Sequence, residues 1–216
     1  MPEVTVTALD FRLQKQVESA RAAFDRGESE LALELCAAVL EAQPACLTVR
    51  KLERAAQLKL AASRRNAVSQ LVRAVSSAPQ LLSGSMQLKG EPRSALATAE
   101  RLLRRDPQSV AALCLLGQAA TALGWAETAV FAYEATSDLE PDRQDIWVSL
   151  SGAYLATGRA ADAVGAASQA LQLNPANAEA QTLLRNASVA VAMAQGKWEQ
   201  SGDSRGKLSE EQKNSE

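Results

Sequence analysis

Residues 144–177 read QDIWVSLSGAYLATGRAADAVGAASQALQLNPAN, and this stretch decides the fold. Within it Gly158 is followed by Ala163, and Ala163 by Pro175. The same frame recurs upstream as Gly124, Ala129 and Pro141, as Gly90, Ala95 and Pro107, and as Gly27, Ala32 and Pro44. Ala67 and Pro79 keep its second half. Successive prolines stand 35, 28, 34 and 34 residues apart. A spacing that regular marks an internal repeat.

The frame has a physical meaning. Glycine ends a first helix in the left-handed conformation that only it adopts cheaply. A second helix follows, and its small alanine lets the two helices of a hairpin approach closely. Proline then stops the second helix, because it cannot continue the hydrogen-bond ladder. Stacked hairpins bury a core that no single hairpin could make.

Composition agrees. Among 216 residues there are 43 alanines and 29 leucines against one isoleucine and 14 valines, which argues against a sheet protein. There is no histidine, so His-based triads, His metal ligands and His general bases are excluded. Cys36, Cys46 and Cys114 are widely spaced and form no zinc pattern; buried or half-buried helical thiols in a reducing compartment are expected. The N-terminus shows no signal-peptide pattern. The stretch 110–126 is interrupted by Gln118, Thr121 and Gly124 and falls short of a membrane span. The expectation is a cytoplasmic protein without a membrane segment.

The repeated residues resemble the tetratricopeptide repeat (TPR) family. Residues 144–177 carry Trp147, Leu150, Tyr154, Gly158, Ala163, Ala170 and Pro175 of its 34-residue unit. They depart from it at Ser151, with glycine displaced to Gly152, and at Ala167. Residues 110–143 carry Leu113, Leu116, Gly117, Gly124, Ala129, Tyr133 and Pro141. The resemblance implies an all-α, α-α superhelix, a solenoid of about five hairpins with a C-terminal capping helix.

The expected organisation is an N-terminal lead over 1–7 and an array over 8–175. Its units lie near 13–46, 47–79, 80–109, 110–143 and 144–177. A capping helix over 176–195 and a disordered polar tail over 196–216 complete it. Residues 47–78 lack glycine and proline, so they form either a hairpin turning near Ser63–Asn66 or one long helix; Ala67, Leu71, Ala74 and Pro79 favour the hairpin.

No catalytic constellation is present. The stretch Gly202–Leu208 is one residue short of a phosphate loop and follows no strand. No enzyme activity, cofactor or metal is expected. Nucleic acid is an unfavoured partner: net charge is −2, and the basic stretch 50–73 contains no aromatic residue on which a base could stack.

The resemblance places the first helices along a concave groove. It implies contact positions at Arg21, Lys51 and Lys59, at Cys114, Gln118 and Thr121, and at Val148, Gly152 and Leu155. A basic N-terminal wall and a small, apolar C-terminal wall suit a peptide or helix with an apolar face. The family's carboxylate clamp of lysine, asparagine and arginine is not reproduced at these positions. Trp125 reads first as core, but its place beyond Gly124 makes it the best aromatic contact candidate. Val189 and Met193 lie four residues apart on the capping helix without an obvious cover. A protein-interaction scaffold is the leading expectation. The alternative is an assembly or regulatory subunit acting as a homodimer, or in a larger complex, through its C-terminal helix.

Overall fold

The computed structural model describes residues 2–63 and 80–213. Every regular element among them is helical, which is the all-α hairpin-repeat fold expected. The chain divides into two compact units, Met1–Pro141 and Asp142–Glu216.

The first unit contains a short 3-10 turn at Val6–Ala8, α1 (Phe11–Asp25), α2 (Ser29–Ala42) and α3 (Leu47–Ser63). It continues with α4 (80–87), α5 (Pro92–Arg105), α6 (Val110–Ala122) and α7 (Ala126–Ser137). The second unit contains α8 (Gln144–Ala156), α9 (Ala160–Leu173) and α10 (Ala178–Lys213). The turn near Ser63–Asn66 and the register of Ala67, Leu71, Ala74 and Pro79 fall on residues 64–79, outside the described residues.

The punctuation residues shape the hairpins. Gly27, Gly124 and Gly158 have φ of 85°, 72° and 76°. In each turn the next residue's N–H reaches back five residues: Glu28 to Ala23, Trp125 to Ala120 and Arg159 to Tyr154, at 2.8–2.9 Å. That bond satisfies a carbonyl the helix end leaves open. Gly90 departs from the frame, since its φ is not positive. Its turn closes instead through Glu91 N–H to the Gln87 carbonyl, at 2.7 Å. The residues before proline, Gln43, Asp106 and Asn174, leave the helical region with φ between −136° and −148°. Proline's ring excludes them from it, so α2, α5 and α9 stop there.

The frame alanines are buried in the hairpins. Ala32, Ala95 and Ala163 are 0% exposed and Ala129 1%. At Gly117 a methyl group would sit 2.6 Å from Tyr133 Cε1, so the glycine lets the ring of α7 lie on α6.

The N-terminal lead packs: Val4 and Val6 lie on a core of Val17, Cys36, Val39 and Cys46, and Val4 N–H bonds the Ala45 carbonyl at 3.0 Å. Glu3 crosses to α7, where its carboxylate accepts from the N–H of Glu127 (3.0 Å) and Thr128 (2.7 Å). An anion there meets the open N–H groups and positive end of the helix. At the other end α10 runs to Lys213 instead of stopping near 195. The segment 196–213 holds no proline, and extending an existing helix needs no new nucleus, which composition alone does not register.

Candidate functional site

The expected groove positions fall on both units. In the first unit, α6 buries Ala112, Leu113, Leu115, Leu116, Gly117, Ala119 and Ala120. The stripe that remains is Ala111, Gln118, Thr121 and Ala122, all exposed, with Cys114 half-buried. These positions recur at helical spacing, so they share a face. The Thr121 hydroxyl donates to the Gly117 carbonyl at 2.9 Å, and the exposed Gln118 is the other polar residue of the stripe.

Arg21, Lys51 and Lys59 are exposed on α1 and α3. Lys59 Nζ donates to the Phe24 carbonyl at 3.3 Å and lies 4.8 Å from the Phe24 ring, while Lys51 Nζ lies 5.9 Å from the ring of Phe131. The rest of the basic run among the described residues points inward. Arg50 is 3% exposed, pairs with Glu100 and donates to the Pro44 carbonyl at 2.8 Å. Glu53 pairs with Arg104 at 3.0 Å, and Arg54 donates to the Pro107 carbonyl at 2.8 Å.

The basic stretch is therefore split on α3. Lys51 and Lys59 remain at the surface, whereas Arg50 and Arg54 tie α3 to the chain around α5. Burial pushes the Glu53 carboxyl up, against the pull of Arg104, and pushes the Arg54 guanidinium down. Burial, with Glu53 nearby, raises the Cys36 thiol to about 12, so this cysteine is an inert core residue.

In the second unit Gly152 and Leu155 are half-buried on α8, and a Cβ at Gly152 would meet nothing within 4 Å. Val148 is corrected to a core residue. It is buried with Ala170 of α9 and Ala180 of α10, flanked by Trp147, Leu171 and Leu183. Asp145, at the start of α8, is held below the usual carboxylate range by its hydrogen bond from Arg143.

Trp125 is also corrected. It is 1% exposed, and its ring lies 6.0 Å from the Arg50 guanidinium. The Schellman turn at Gly124 sends the chain, and with it the ring, inward. Val189 and Met193 are 55% and 66% exposed on α10, while Ala180 and Ala187 are buried on its other side. Ala194 is exposed as well.

The pairs Arg50–Glu100 and Glu53–Arg104 had no signal in the sequence. Their partners lie 50 and 51 residues apart, off the repeat spacing. The Glu3 cap was equally hidden.

Known structures match the fold. The first TPR domain of Spaghetti (RPAP3), bound to the HSP90 peptide SRMEEVD, is similar at a TM-score of 0.52 and 20% identity, over 54% of this chain and 93% of that one. The first TPR domain of human RPAP3 gives 0.51 and 20% over the same shares. At that identity the likeness is one of fold, and the fold is TPR-like. No curated protein matches the chain in sequence. No helix among the described residues is long and apolar enough to cross a membrane. The family model described as bacterial transcriptional activator domain, BTAD, matches residues 48–193, from α3 into the first half of α10. With helical hairpins recurring through the described residues of that stretch, the chain belongs to the bacterial transcriptional activator domain family.

Proposed function

We propose that the chain is a non-catalytic, cytoplasmic protein–protein interaction module that serves transcriptional regulation by holding a peptide or helix of another protein. One observation carries this reading. Helix α6 buries seven residues and leaves Gln118 and Thr121 as a small, partly polar stripe with no role in the core. A stripe of that kind gives a guest both apolar area and orienting hydrogen bonds. Arg21, Lys51 and Lys59 add exposed positive charge in the same unit, which favours a guest with acidic residues. Gly152 and Leu155 of α8 are the corresponding contacts in the second unit. The peptide-bound TPR domain of Spaghetti supports the reading through its fold. The BTAD family supports the regulatory setting.

Site-specific photo-crosslinking tests it. A photoreactive residue at Gln118, Thr121 or Gly152 is expected to capture the same cellular protein, identified by mass spectrometry, while one at the exposed Glu179 is not. Capture at Glu179 alone, or at none of the four, rejects the first-helix face as the site.

A second reading, an assembly subunit joined through its C-terminal helix, is favoured by Val189 and Met193. Both are exposed, four residues apart on α10.

A further inference from the structure

We infer that a second groove, between α2 and α5 in the first unit, docks an amphipathic helix of a partner protein with one acidic and one basic edge. The cavity there measures about 810 Å³. Its floor is low: Ala38 and Ala97 are exposed and Pro44 half-buried, above the buried Trp125. Small residues on both walls let a third helix approach to the usual packing distance, about 8–10 Å between axes.

The walls carry opposite charge. Glu34 and Glu41 line the α2 side, and Arg93 and Arg101 line the α5 side. All four are exposed, and none has an ion-pair partner among the described residues. The other two charged groups of α5 at the groove, Glu100 and Arg104, are engaged by Arg50 and Glu53. They fix the floor and leave the rails without an ion-pair partner among the described residues.

The spacing fits a helix. Seven residues separate the two glutamates and eight the two arginines, or about 10–12 Å along each wall. Residues two turns apart on a docked helix repeat at that distance. A partner with one sign of charge would satisfy one rail and be repelled by the other, so the two rails select a helix with both. These walls belong to the second helices of their hairpins, so the groove is separate from the α6 stripe and does not depend on it.

The test uses the full chain and three synthetic peptides of about five helical turns, each with the same alanine and leucine face. Their edges are lysine and glutamate, lysine on both, or glutamate on both. In fluorescence anisotropy the mixed peptide is expected to bind at least tenfold more tightly than either single-sign peptide. Glu34→Lys/Glu41→Lys should transfer the preference to the all-glutamate peptide, and Arg93→Glu/Arg101→Glu to the all-lysine one. Circular dichroism should be unchanged, since all four side chains are exposed. Equal binding of the three peptides, or no transfer of preference, overturns the proposal. A mixed peptide broken by central prolines that binds equally well would make the occupant extended and overturn it too. So would a wild-type dimer that dissociates in Glu34→Lys/Glu41→Lys, because the occupant would then be a second copy.

Discussion

Gly124 and Gly90 hold the same place in the repeat frame, but only Gly124 adopts the left-handed conformation, at φ 72°. At neither would a methyl group meet another atom within 4 Å, so sterics of packing drop out of the comparison. Gly124→Ala is expected to destabilise the protein by about 1–2 kcal/mol, the cost of a left-handed L-residue. Gly90→Ala should be neutral or stabilising by up to about 1 kcal/mol, because it only restricts the unfolded chain. Urea denaturation of the two variants measures the contrast; equal losses would mean that the turn at Gly124 relaxes. The frame alanines give a second residue-scale result. Ala129 and Ala163 are 1% and 0% exposed, so leucine at either overpacks a close helix contact and should cost about 1–3 kcal/mol. Unfolding midpoints equal to wild type at both positions would refute the close contact.

At the scale of elements, the hairpins were legible and their ties were not. Glycine turns and pre-proline residues act on their own neighbours, so Gly27, Gly124 and Gly158, and the stops at Gln43, Asp106 and Asn174, could be read locally. The Arg50–Glu100 and Glu53–Arg104 pairs depend on where α3 meets α5, which no local pattern encodes. The same ignorance hid that Arg50 and Arg54 of the basic stretch turn inward, and left Trp125 and Val148 as contact candidates where the core claims both. Arg50→Ala leaves Glu100, 12% exposed, without its counter-ion and should cost about 3–5 kcal/mol. Arg50→Met/Glu100→Leu removes both charges and should cost clearly less than the single change. The remaining pair gives a pH signature. Burial raises the Glu53 carboxyl, so its contribution to stability is fully present below the ordinary carboxylate range and is lost as pH rises through the raised value. Glu53→Gln has no proton to lose. Its melting temperature should therefore gain on wild type as pH increases through that window, and parallel curves from pH 4 to 8 would contradict the burial effect.

At the scale of the whole molecule, the family match over 48–193 takes in residues of both units, and each unit offers its own first-helix positions, exposed on α6 and half-buried on α8. In the second unit the unresolved choice is between a guest on α8 and a partner on α10. Ala180 and Ala187 bury one side of α10, which leaves Val189 and Met193 outward, 55% and 66% exposed. Because they lie four residues apart, a second α10 could cover both at once, as apolar pairs at this spacing do between helices. Glutamate at both positions would bring like charges together in such a pair without touching the buried side, so the fold should be unaffected. The assembly reading therefore predicts a wild type whose sedimentation coefficient rises with concentration toward that of a dimer. Val189→Glu/Met193→Glu should sediment as a monomer of unchanged helicity over the same range. If wild type is monomeric at every concentration reached, α10 does not join two copies. If the double variant still dimerises, the contact lies elsewhere, and the charge-reversed variants of the α2 and α5 rails identify whether that groove supplies it.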